Sequence, residues 1–172
     1  QAPIHPAHLA ASLWDAVREG PWQLAYGVLG GWPRRLWDFD TEEAYLGRSG
    51  GEGLGYGLPA SVGAALAHSR DDTLVVDIQS DGDMLYTPQA LWTAAHHRLP
   101  LLVVVYDNRA YGRDLIHQRL VAKARGWEGL TQPEAIALID PTVGFTRLAE
   151  GYGVEGIGPV EDPAKLSGGL VG

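Results

Sequence analysis

Two short polar segments of this chain could do chemistry together. One is Ser80-Asp81-Gly82-Asp83; the other is Asp107-Asn108-Arg109-Ala110-Tyr111-Gly112. Asp81 and Asn108 stand 27 positions apart, and each segment follows an apolar run that reads as a strand. Ligands of an open parallel sheet bind outside the carboxyl ends of its strands. A carboxylate, an amide oxygen and a nearby backbone carbonyl are hard oxygen donors. They suit magnesium, which takes near-octahedral oxygen coordination and usually keeps one or two protein side chains beside phosphate oxygens and water. A cation there suits a phosphorylated cofactor. Taken singly, each segment reads better as an Asx-turn bonding its own backbone. The joint spacing favours the metal.

The elements that must position these residues alternate. Pro6 to Gly20 reads as a helix with proline near its start and Leu9, Leu13 and Val17 on one face. Trp22 to Leu29 reads as a strand, and Gly30 to Glu43 as an irregular stretch. Trp32 and Trp37 in that stretch mark either a packed loop or an interface. Gly47 to Gly57 is glycine-rich, and small residues at helical spacing follow from Pro59 to Ala67. Thr73 to Gln79 reads as a buried strand. A helix with Thr87 as its capping hydroxyl and Pro88 in its first turn runs to about Arg98. Leu101 to Tyr106, the most continuous apolar run, has the character of a central parallel strand. Helices are expected over 114–125 and 142–150, and a short strand over 154–157. Strands alternating with helices indicate one α/β domain with a parallel sheet.

Composition narrows the function. A formal charge of −8 with no basic run argues against nucleic-acid binding. The absence of cysteine excludes a disulfide framework, a thiolate zinc site and an iron–sulfur cluster on this chain. No apolar run reaches membrane-spanning length, and no signal peptide is visible, so a cytoplasmic location is expected. The chain of 172 residues opens on Gln1 and closes on Leu166-Ser167-Gly168-Gly169-Leu170-Val171-Gly172, a helix start that fades into glycines, which suggests a fragment or a processed piece of a longer enzyme.

The stretch from Gly50 to Gly112 resembles the cofactor-binding domain of thiamine-diphosphate-dependent enzymes. That family carries Gly-Asp-Gly, about two dozen residues, then Asn-Asn; here the pattern stands as Ser80-Asp81-Gly82 and Asp107-Asn108. The upstream Gly53-Leu54-Gly55-Tyr56-Gly57-Leu58-Pro59-Ala60 is also similar to the family's stretch before its small-residue helix. The resemblance is strongest to the acetolactate-synthase-like branch. It implies a three-layer α/β/α sandwich with a mainly parallel sheet, binding thiamine diphosphate and Mg2+. Asp81, Asn108 and the backbone carbonyl of Ala110 would hold the metal. The backbone amides of Gly82 and Asp83 would meet the diphosphate. Leu54 would sit beneath the cofactor and bend it, and the carbonyl of Glu52 would accept from the aminopyrimidine. The reaction would make or break the bond beside a carbonyl, as in acetolactate synthesis or decarboxylation of a 2-oxo acid. The activating glutamate would come from a pyrimidine-binding domain, on the same longer chain or another subunit of a homodimer or larger assembly. This chain alone would then be inactive.

Three positions depart from the pattern. Ser80 replaces glycine and adds a Cβ, Asp107 replaces asparagine and adds a charge, and Glu52 stands where glycine is usual. None is a side-chain metal ligand in the family. Two other readings compete: a subunit of a 2-oxo acid oxidoreductase, and a non-catalytic module that keeps the fold. Adjacent His96 and His97 point to different faces and favour a helix C-terminal dipole contact over a metal. His117 reads as a surface residue, Arg109 as a phosphate contact or an exposed salt bridge, and Asp77 as a strand carboxylate that needs a partner.

Overall fold

Three parallel strands hold the site: β1 (Trp22–Gly27), β2 (Leu74–Ser80) and β3 (Leu101–Tyr106), in the order β1-β2-β3. The structure is a computed structural model that describes residues 3–47, 53–127, 129 and 133–166. β1 runs beside β2 from Trp22↔Leu74 to Gly27↔Ile78, with an irregularity between Leu24 and Tyr26. β2 runs beside β3 from Val75↔Leu101 to Ser80↔Tyr106, so both strands end at the same level. The helices are α1 (Pro6–Val17), α2 (Pro33–Leu36), α3 (Gly57–Ala67), α4 (Asp81–Met84), α5 (Ala90–His97), α6 (Gly112–Ala124) and α7 (Phe145–Gly151).

The period-two alternation of a strand sends its side chains to two layers. Leu24, Val76, Ile78, Leu102 and Val104 pack with Leu9, Leu13 and Val17 of α1 and with Trp37. Leu101, Val103 and Val105 pack on the opposite side with Leu58 and Val62 of α3, Leu91 and Ala94 of α5, and Phe145 and Ala149 of α7. Small residues let α3 approach closely: Ala64 and Ala65 meet Ala25 and Val75. Leu13, Leu24, Val76 and Ile78 are fully buried. Each contributes about 1.5–3 kcal/mol relative to exposure. The result is the expected α/β/α layering with an all-parallel sheet.

Several expectations change in detail. Trp37 is packed, not presented: it is buried, stacks on Trp14, and donates from Nε1 to the Ala10 carbonyl at 2.8 Å. β3 is the end strand among the described residues, and all six of its residues are only half-buried. The 154–157 stretch forms no strand there, and it lines a groove of about 1350 Å³ together with β3. The last helix of that layer starts at Phe145 rather than Thr142, because Thr142 is engaged in a bridge with Ile139. α5 starts at Ala90 without a side-chain cap, because the Thr87 hydroxyl is used elsewhere.

Candidate functional site at the carboxyl ends of β2 and β3

The chain turns sharply after each of these strands. β2 passes directly into α4, and Ser80 is its N-cap, with Oγ accepting from the Asp83 N–H at a long 3.4 Å. The Asp81 side chain is fully buried. Its Oδ1 accepts from the Gly82 N–H at 2.9 Å, and its Oδ2 accepts from the Ala110 N–H at 3.1 Å. The same Ala110 N–H is also shared with Asn108 Oδ1 at 3.0 Å. Asp81 and Asn108 therefore converge on one backbone donor, although they lie on different strands' ends.

The loop after β3 is held from several sides. Asp107 Oδ1 accepts from the Arg109 N–H at 2.9 Å, an Asx-turn that supports Arg109 in the left-handed region at φ 59°. The neighbouring segment adds main-chain bonds, Tyr111 N to Ile136 O at 2.9 Å and Leu138 N to Arg109 O at 2.7 Å. The Tyr111 ring lies against Gly82, where an added Cβ would stand 2.5 Å from a ring carbon. Glycine at 82 is thus a packing requirement between the two loops.

Upstream, the Leu54-Gly55 turn closes on α4. The Asp83 Oδ1 accepts from the Gly55 N–H at 2.6 Å, and the Thr87 hydroxyl donates to the Gly55 carbonyl at 2.9 Å. Gly55 has φ +83°, which favours glycine. Leu54 is 61% exposed and is no core leucine. Glu52 lies outside the described residues.

The carboxylates respond to this confinement. Burial raises the Asp81 pKa above the ordinary carboxylate value, and the neighbouring Asp107 pushes it the same way. Asp77 on β2 now has its partner: Gln79 Nε2 donates to both its oxygens, at 2.8 and 3.0 Å. Burial pushes its pKa up to about 7 against the opposing hydrogen bonds from Gln79 and Ser61. Burial also raises the Tyr111 hydroxyl.

The donor set fits a small hard cation. Each carboxylate or carbonyl oxygen has two acceptor positions. Asp81 Oδ1 and Oδ2, Asn108 Oδ1 and the Ala110 carbonyl each spend one on an internal N–H, the last from Gly112 at 2.8 Å. One carboxylate with two neutral oxygens is the chemistry magnesium accepts, with water and phosphate completing the shell. Among the described residues, no group of three His, Cys, Asp or Glu residues gathers that could hold a metal ion. For an anion, Gly82 N–H is engaged by Asp81 and Asp83 N–H only weakly by Ser80.

Comparison with known proteins decides the family. Residues 25–170 match the family described as thiamine pyrophosphate enzyme, C-terminal TPP binding domain. The chain belongs to this family. Its thiamine pyrophosphate-binding domain is 34% identical over 135 residues to an acetolactate synthase isozyme 3 large subunit of Escherichia coli, covering 77% of this chain and 22% of that protein. It is 39% identical over 106 residues to a benzoylformate decarboxylase of Pseudomonas aeruginosa, covering 61% of this chain and 18% of that one. Among solved structures, a thiamine diphosphate-dependent 4-hydroxybenzoylformate decarboxylase of Rhodococcus jostii superposes with a TM-score of 0.79 at 27% identity, covering 99% of this chain and 30% of that chain. The chain thus spans about a fifth of the length of the curated relatives it matches.

Within this thiamine pyrophosphate-binding domain, sequence reasoning named the strand-end residues but missed the bonds that join them. The Asp83 side chain, Thr87 and Tyr111 were legible only as a turn residue, a cap and an aromatic. The glycine at position 55 was an available signal, since a glycine in a clustered run marks a tight turn. The other candidates sit apart. His96 stacks on Trp92 at 4.9 Å, His117 is exposed on α6, and Arg109 Nη2 lies 3.6 Å from Glu161 in an exposed ion pair.

Proposed function

We propose that this chain is a single domain, one part of a longer enzyme, that binds thiamine diphosphate and Mg2+ for making or breaking the bond beside a carbonyl, with a 2-oxo acid as substrate. The observation that carries this reading is the convergence of Asp81 and Asn108 on the Ala110 N–H, at 3.1 and 3.0 Å. Asp81, Asn108 and the Ala110 carbonyl would hold the metal. The amides of Gly82 and Asp83 would meet the diphosphate, consistent with anion binding in turn concavities. Leu54 would support the rings from below, and the Glu52 carbonyl would orient the aminopyrimidine. When bound, the cofactor supplies a thiazolium carbanion and an electron sink.

No glutamate of this chain matches the activating one, so a pyrimidine-binding domain, on the same polypeptide or a second subunit, would supply it. The names of the relatives, acetolactate synthase and benzoylformate decarboxylase, support a 2-oxo acid substrate. Calorimetry with thiamine diphosphate and magnesium tests the reading. Asp81→Ala is expected to abolish metal-dependent binding, and unchanged affinity in that variant would overturn the metal assignment.

A further inference from the structure

We propose that Asp83 is a positioning residue whose carboxylate ties the Leu54 turn to the diphosphate turn, so that the two ends of the cofactor site move as one body. The proposal deepens the thiamine diphosphate reading and rests on it. Asp83 lies two positions after Asp81 in α4, yet its side chain reaches 28 positions back to the Gly55 N–H at 2.6 Å. A bond of that length from an N–H to a carboxylate belongs to the strong, charge-assisted class. The carbonyl of the same glycine is held by Thr87 at 2.9 Å, from the turn that follows α4. Both polar groups of Gly55 are thus bound by one segment, 83–87. The fit is close: a Cβ on Gly55 would lie 2.8 Å from the Tyr86 Cβ and 3.1 Å from Thr87 Cγ2.

The clamp holds something exposed. Leu54 precedes Gly55 directly and is 61% exposed, whereas Asp83 is 5% exposed. A large apolar side chain is therefore held out toward solvent by a buried ionic hydrogen bond. Asp83 Oδ2 is buried with no hydrogen-bond partner among the described residues. An unpaired buried carboxylate oxygen costs stability. Such local costs persist where position matters more than stability. The Asp83 N–H makes a separate, long contact with Ser80 Oγ within the diphosphate turn. The side chain of Asp83 therefore joins the two turns while its main chain belongs to one of them.

The test compares two ligands on the full-length protein in its native assembly. Magnesium with inorganic pyrophosphate engages the metal ligands and the diphosphate turn; magnesium with thiamine diphosphate also meets Leu54. Asp83→Ala is expected to weaken thiamine diphosphate about tenfold or more, and to weaken it several-fold more than it weakens pyrophosphate. Asp83→Asn keeps an acceptor oxygen for Gly55 and should restore most of the loss. Thr87→Val removes the second bond of the clamp and should give a smaller loss of the same selective kind, even where Asp83→Ala fails to fold. Hydrogen exchange gives an independent readout: the Gly55 amide should be protected in the wild type and in Asp83→Asn, and lose protection in Asp83→Ala. Equal weakening of both ligands would overturn the assignment, since Asp83 would then act on the anion turn itself. So would unchanged thiamine diphosphate affinity in Thr87→Val and Asp83→Ala. A wild type that binds neither ligand would overturn the thiamine diphosphate reading, and the proposal would fall with it.

Discussion

Replacing Asp77 by asparagine should stabilise the protein at neutral pH, although it removes a charged residue from a hydrogen bond. Asp77 is fully buried on β2, and its folded pKa is about 7 against an ordinary value of 3.8. The direction follows from proton counting. Between these two values the folded state holds the Asp77 proton and the unfolded state has released it. The folded state binds more protons, so stability falls as pH rises through this window. A difference of about three pKa units corresponds to about 4 kcal/mol at pH 8, an upper bound. Asparagine has the same shape and no charge to desolvate. Its side-chain oxygen can still accept from the Gln79 Nε2. Urea unfolding of both proteins from pH 5 to pH 8 provides the assay. The variant's advantage should grow with pH, reach a few kcal/mol at pH 8, and shrink toward pH 5. A constant difference across that range would refute the reasoning, as would a variant destabilised at pH 8.

Three other outcomes are expected. Ser80→Ala removes the N-cap of α4 and should cost about 1 kcal/mol of stability in thermal unfolding. It also frees the Asp83 N–H, so calorimetry should show tighter binding of magnesium pyrophosphate than in the wild type. Gly82→Ala places a Cβ 2.5 Å from the Tyr111 ring and should cost about 1–3 kcal/mol by overpacking. The same change made in a Tyr111→Ala background should cost clearly less, which a double-mutant cycle by urea unfolding measures. Trp37→Phe keeps most of the stack on Trp14 but loses the bond to the Ala10 carbonyl, and should cost about 1 kcal/mol in the same assay.

The sequence made the layering legible because strand alternation and short apolar runs report directly on burial. Val75 to Ile78 and Leu101 to Tyr106 were visible as strands for that reason. The level ends of β2 and β3 were legible too, since Asp81 and Asn108 follow those runs at once. What stayed hidden depends on contacts between distant segments. Thr87 looks like a helix cap from its neighbour Pro88, yet its hydroxyl serves a residue 32 positions away. Asp83 was named for its backbone amide, and nothing in its neighbours directs its side chain to Gly55, 28 positions away. Asp77 gave no hint of its partner until the strand's alternation placed Gln79 on the same face. The end position of β3 could not be read from its apolarity, because a half-covered strand and a central one have the same composition.

The shared Ala110 N–H has a spectroscopic consequence. One amide proton sits between the oxygens of two residues that follow different strands. A cation drawing electron density from both oxygens would weaken both bonds to that proton together. Its resonance would move upfield and its exchange with solvent would quicken, in one step. Under the proposed metal assignment, Ala110 would be a built-in reporter of occupancy. A single labelled alanine would show when the site fills, without any substrate or turnover.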